Sequence, residues 1–296
     1  MKQTPLIALF ISIIGVSFAA IIIRTCTAKP LLISFYRLLF TTVLLLPILI
    51  VIPRFRKQLK QISLKELVLM TIIGIILALH FTFWITSLQF TSVASSVILV
   101  TAHPILVGPL SYIFLKEKIS KINIAGIFLS LSGVFTLVYG NYSGAFDQTS
   151  LYGNILAFLG GIAAGFYILG GRYMRRTVSV IIYAIMVYAI STIVLLGFIG
   201  FSETTLFSIT TKDLLLILLM AIVSGIGGHT LYNWSLAHIR ASLASVALLG
   251  EPIGSAILAL LIPWINEIPT IWTLIGGGII LTGVYLTAKE KKEILA

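Results

Sequence analysis

Charge is scarce in this chain of 296 residues. Asp and Glu number 9 and Lys and Arg 20, so 10% of residues are charged, against about 25% in a soluble domain. So few charges cannot cover a water-facing surface. That leaves lipid as the surroundings, where backbone polar groups must be satisfied inside helices or a closed barrel. Cysteine is nearly absent as well: Cys26 is alone, so no disulfide can form within the chain. No GxxxxGK[ST] phosphate loop occurs, and with it no visible ATP motor. None of the 4 histidines stands in HxxxH or HxxE spacing, which argues against a metal site.

What is abundant is apolar: 59% of residues are hydrophobic and the mean hydropathy is +1.12. The apolar runs are continuous rather than alternating every second residue. They therefore read as membrane helices and not as barrel strands. The expected fold is an all-α polytopic membrane protein with ten transmembrane helices. The predicted spans are 6–23, 31–52, 67–89, 93–115, 122–140, 151–171, 177–200, 214–236, 242–264 and 270–288. The first resembles a signal peptide but lacks a clear small-residue cleavage site and runs straight into further spans, so it reads as helix 1.

The basic residues orient these spans. With both termini in the cytoplasm, the inner side carries Lys2, Arg54, Arg56, Lys57, Lys60, Lys65, Lys116, Lys118, Lys121, Arg172, Arg175, Arg176, Arg240, Lys289, Lys291 and Lys292. The outer side carries Arg24, Lys29 and Lys212, and Arg37 lies inside span 2. This asymmetry follows the positive-inside rule and accounts for the net charge of +11 without a nucleic-acid partner.

The chain also repeats itself. Residues 87–104, SLQFTSVASSVILVTAHP, align with residues 235–252, SLAHIRASLASVALLGEP. GIFLSLSGV at 126–134 aligns with GGGIILTGV at 276–284, and the acidic turn at Glu117 with the one at Glu267. Each copy would hold five spans, at 1–140 and 151–296, with an external linker at 141–150. An odd number of spans inverts the second copy relative to the first. Inverted repeats are common in secondary transporters, with the binding site between the halves near mid-membrane.

These features resemble the drug/metabolite transporter superfamily, in particular its EamA-type ten-helix transporters. The likeness rests on two five-helix halves and a Pro in each fourth helix. A short acidic motif follows that helix (Leu115-Lys116-Glu117), and a glycine-rich fifth helix follows the motif. The second motif, Pro263-Trp264-Ile265-Asn266-Glu267, departs from the usual leucine-glycine-glutamate form. The resemblance implies a secondary transporter of small metabolites, often an exporter of amino acids, located in the cell (inner) membrane. It implies no enzyme activity and no cofactor. A proton or other cation would be the coupling partner, and the lipid bilayer the surroundings. An uncoupled facilitator or channel, or a lipid-handling membrane protein, is the alternative.

Several polar residues fall deep in the spans, where they are costly and tend to be functional. Glu251 lies in span 9, about 16 Å from the inner charged end at helical rise. Its repeat counterpart is His103, and each stands immediately before a Pro. Those prolines free a backbone carbonyl, so spans 4 and 9 would kink at matching depths. His80 and His229 form a second matched pair. Trp84 lies one turn after His80, and Tyr232 and Asn233 one turn after His229, so each set shares a helix face. Arg37 would either bind a substrate carboxylate, pair with Glu251, or snorkel outward. The expected substrate and coupling site is thus Glu251, His103, His80, His229, Trp84, Tyr232, Asn233 and Arg37. The small-residue pairs Gly161/Gly165, Ser224/Gly228 and Gly126/Ser130 are spaced for close helix packing.

Overall fold

A computed structural model describes residues 3–91, 93–140, 148–262 and 270–288. Every element among them is helical. In chain order these are α1 (Gln3–Thr25), α2 (Pro30–Val51), α3 (Pro53–Lys60), α4 (Leu64–Ser87), α5 (Val93–Thr101), α6 (Pro104–Leu115) and α7 (Lys121–Gly140). Then follow α8 (Gln148–Met174), α9 (Val180–Gly200), α10 (Thr211–Met220), a π-helical stretch (Ala221–Thr230), α11 (Leu231–Ser235) and α12 (Ala241–Ala247). A single 3₁₀ turn (Leu248–Gly250), α13 (Glu251–Leu261) and α14 (Ile271–Ala288) complete the chain. Lys2, Glu267, Trp264, Lys289, Lys291, Lys292 and most of the expected linker lie outside the described residues.

Local chemistry sets many of the boundaries. Pro30, Pro53 and Pro104 each open a helix, where their missing N–H costs nothing. Ser63 and Glu66 cap each other's backbone N–H groups at the start of α4, and Thr210 caps α10 by accepting from the Asp213 N–H. Lys116 stops α6 with a left-handed φ of 54°. The short basic α3, with Arg54, Arg56, Lys57 and Lys60, occupies a stretch that the hydropathy pattern leaves as an inner loop.

Among the described residues, seven stretches are long and apolar enough to cross a membrane: 3–25, 30–51, 64–87, 151–174, 180–200, 211–235 and 241–258. Shorter apolar helices cover 99–115, 121–136 and 274–287. The outward faces are strongly apolar: Phe10, Phe128, Phe135, Ile193, Leu215 and Tyr285 are all exposed. Exposed apolar surface of that extent is untenable in water and suits lipid.

Packing is reciprocal between the two copies. α2 packs on α9, and α7 on α14. α1 packs on the π-helical stretch and α13, while α8 packs on α4 and α5. Glycine permits the closest approaches. A Cβ on Gly15 would stand 2.8 Å from the Gly228 nitrogen and the Val223 oxygen of the π-helical stretch. One on Gly126 in α7 would stand 2.7 Å from the Gly283 oxygen of α14. Ser224 Oγ donates to the Gly15 carbonyl at 2.7 Å, so the π-helical stretch and α1 are held by a buried hydrogen bond as well as by contact.

Candidate functional site

Where kinks were expected, the fourth and ninth apolar stretches are interrupted. α5 ends at Thr101 and α6 begins at Pro104, so His103 sits in the gap. The 3₁₀ turn interrupts the ninth span directly before Glu251 and Pro252. Proline at these points cannot donate to the preceding turn. The two interruptions face a common space lined by His80, Trp84, His103, His229, Tyr232 and Glu251, together with Tyr167, Thr101 and apolar residues of α1 and α8. Both repeat copies contribute to this wall. Its volume is about 50 Å³, room for a few water molecules rather than for a metabolite.

Each polar side chain is positioned by a specific neighbour. His80 Nδ1 lies 2.9 Å from the Gly160 carbonyl of α8. A carbonyl only accepts, so Nδ1 carries the proton and Nε2 is left for the chamber. The His80 ring stacks on Trp84 at 6.0 Å. His103 Nδ1 lies 2.9 Å from Ser245 Oγ of α12, across the boundary between the copies. The His229 ring meets the edge of Phe81 at 5.3 Å and lies 6.4 Å from Tyr167. Among the described residues, Trp84 Nε1 and Tyr232 Oη are buried donors without a partner. Among the described residues no side chain hydrogen-bonds the Glu251 carboxylate. Its main-chain carbonyl accepts from Ser17 Oγ at 3.3 Å.

Two of the eight expected residues lie behind the wall rather than on it. Asn233 is fully buried and donates to Tyr167 Oη at 2.5 Å and to the His229 carbonyl at 2.7 Å. It therefore holds two lining residues in place. Arg37 does not reach the membrane surface: it is 1% exposed, so the snorkelling alternative does not apply. Its guanidinium lies 4.1 Å above the Phe81 ring, and Nη1 and Nη2 have no hydrogen-bond partner. It interacts electrostatically with Tyr188, Glu251 and Tyr167. An unpaired buried cation is costly.

Tyr167 is the main residue that sequence reasoning missed. It stands one turn beyond Ala163 and Ala164 in an otherwise apolar span, and no neighbouring charge marks it. The π-helical stretch was also unforeseen, although it carries His229 to the wall. Such stretches are rare and concentrate at functional sites. Among the described residues, no three His, Cys, Asp or Glu side chains come together as a metal site.

With described residues that are helical throughout, an apolar exterior, and a chamber walled by both copies that carries Glu251 and the imidazoles of His80, His103 and His229, the chain is a polytopic membrane protein of transporter type. The EamA-like transporter family model matches it twice, over residues 3–139 and 151–289. The chain belongs to that family. It is 25% identical over 296 residues to an uncharacterized transporter of Archaeoglobus fulgidus, covering 99% of both chains. It is 25% identical over 276 residues to the uncharacterized transporter YoaV of Bacillus subtilis, covering 92% of this chain and 91% of that one. A solved crystal structure with a TM-score of 0.76 shares the fold over 97% of this chain and 96% of the other, at 17% identity.

Proposed function

We propose that this protein is a secondary transporter of a small organic metabolite, an amino acid or related compound, working by alternating access in the export direction. On this reading ten spans form two inverted five-helix repeats, 1–140 and 151–296, joined by an external linker at 141–150. Both termini are cytoplasmic and the protein resides in the cell (inner) membrane. It performs no catalysis and needs no cofactor.

The observation that carries the proposal is Glu251. Its carboxylate stands at the break of a membrane helix, on the wall of a chamber shared by both copies, without a hydrogen-bond partner among the described residues. A carboxylate placed so deep needs a proton, a cationic group of the substrate, or Arg37 to neutralise it. Partners that compete for one carboxylate are thermodynamically linked. The histidines, Trp84, Tyr167 and Tyr232 would orient the cargo. The space of about 50 Å³ must widen to admit it, which requires the halves to part.

A panel of amino acids and related metabolites, tested for flux into proteoliposomes under an imposed pH gradient, examines the proposal. Saturable flux of at least one compound, driven by the gradient, is expected. Saturable flux that ignores the gradient would favour an uncoupled facilitator. No flux of any compound in folded, correctly inserted protein would refute both.

A further inference from the structure

A second charged cluster lies away from the chamber, where α6 gives way to α7. Its centre is Glu117, a carboxylate only 7% exposed. Arg172 Nε of α8 donates to Glu117 Oε1 at 2.6 Å, and the Ala241 N–H at the start of α12 donates to Oε2 at 2.8 Å. Arg172 also donates through Nη1 to the Leu236 carbonyl at 2.7 Å. Around this core, Arg176 donates to the Leu115 carbonyl at 3.1 Å and Arg240 to the Lys118 carbonyl at 3.0 Å. Asn123 donates to the Thr287 carbonyl at 2.9 Å.

These bonds share one property. Apart from the Arg172–Leu236 bond, each joins a residue of the first copy to a residue of the second. Both oxygens of Glu117 are engaged from the second copy, one by an arginine and one by the first N–H of a helix. Charge-assisted bonds of this kind are the strong ones, and a carboxylate is favoured at a helix N-terminus. The same α8 carries Tyr167 and Ala164 in the chamber wall, and the ninth span that begins at Ala241 leads to Glu251. Parting the copies at this end would therefore mean freeing Glu117.

We infer that Glu117, held by Arg172 and by the start of α12, is the latch that keeps the chamber closed from its Arg-rich end. The inference rests on the alternating-access reading but is tested without transport. By the charge asymmetry this end faces the cytoplasm. Breaking the latch would shift the protein towards a state with the chamber open on that side, and the two copies would separate first between α6 and α8.

The test is side-specific labelling in sealed vesicles of known orientation. In a Cys26→Ser background, Ala164→Cys places one thiol on the chamber wall, and a membrane-impermeant maleimide is applied from either side. Glu117→Gln removes the charge and leaves one acceptor for two donors. It should raise labelling from the cytoplasmic side at least about tenfold, the scale of a lost charged hydrogen bond, without raising it from the outside. Arg172→Lys keeps the charge but loses the planar two-way fork and should give a smaller rise on the same side. Lys118→Ala, removing an exposed positive charge next to Glu117 while keeping the backbone carbonyl that Arg240 bonds, should leave labelling within about twofold of the parent. An unchanged rate for both Glu117→Gln and Arg172→Lys overturns the latch. So does an equal rise from both sides, which would mean general loosening. A rise with Lys118→Ala as large as with Glu117→Gln also overturns it, since surface charge alone would then explain the effect. Labelling reads the latch even if no metabolite is carried, so the latch and the transport reading can fail separately.

Discussion

Gly15→Ala is the sharpest test of how α1 meets the π-helical stretch. A methyl on Gly15 would lie 2.8 Å from Gly228 N, 2.8 Å from Val223 O and 2.9 Å from Gly227 C. Comfortable carbon contacts begin at about 3.5 Å, so the two backbones must separate by about 0.7 Å. All three obstacles are main chain and cannot rotate away. The shift also stretches the bond from Ser224 Oγ to the Gly15 carbonyl, 2.7 Å long. Overpacking of this kind costs about 1–3 kcal/mol, and losing the buried hydrogen bond adds about 1 kcal/mol. Against this, Ala gains up to about 1 kcal/mol over Gly in helix propensity. The net expectation is a destabilisation of about 1–3 kcal/mol. Gly197→Ala in α9 provides the control. Nothing lies within 4 Å of its added Cβ, so only the propensity gain remains and the sign should reverse. Thermal unfolding of the purified protein in detergent, at matched lipid content, measures both. A Gly15→Ala protein as stable as Gly197→Ala would refute the close approach as the determinant of this interface.

The remaining expectations concern charge and sidedness. Glu251→Gln keeps size and hydrogen bonding but cannot titrate, so it should leave the protein folded and flatten the pH dependence of flux in proteoliposomes. His103→Gln should do the same more weakly, and a wild-type pH profile in Glu251→Gln would make the glutamate structural. Reporter tags at residue 145 and after residue 296 should fall on opposite sides of the membrane, the latter cytoplasmic; finding both on one side would remove the inverted-repeat argument. Cys26, between α1 and α2, is half-buried, and burial with the nearby Asp213 carboxylate pushes its thiol up to about 11. The thiolate is the reactive form, so at pH 8 Cys26 should react with maleimide about a hundredfold more slowly than a cysteine placed at the exposed Glu203. Asp213→Asn should narrow that gap, and equal rates in the parent would contradict the burial of the thiol.

The parts of this molecule legible in sequence are those written in local chemistry. Helix positions followed from apolar runs, and the missing proline N–H marked Pro104 and Pro252 as points where the spans bend. His103 and Glu251 could be paired because duplication preserved their spacing from those prolines. Other features depend on residues far apart in the chain. Tyr167 gains its place through Asn233, 66 residues on. Arg172 meets Glu117 across 55 residues, and Glu117 had no visible partner while it read as a turn residue. The π-helical stretch has no propensity signature of its own: Gly225, Gly227 and Gly228 permit many backbones, and contact with α1 accompanies this one. The short basic α3 was hidden because its eight residues are too polar for a hydropathy pattern to separate from a loop.

The pairing of α2 with α9 and of α7 with α14 bears on what happens when synthesis stops early. Each of these helices finds its counterpart in the other copy, so α1–α7 alone would leave uncovered the faces of α2 and α7 that meet α9 and α14. The face of α7 with Gly126, Ser130 and Gly133 is shaped to receive a helix of similar ancestry, and in a truncated product the nearest such helix belongs to another truncated chain. Premature termination near residue 140 should therefore yield self-associating half-proteins rather than isolated fragments. The same faces would let two separately encoded halves find each other in the bilayer, without the peptide bond that now joins them.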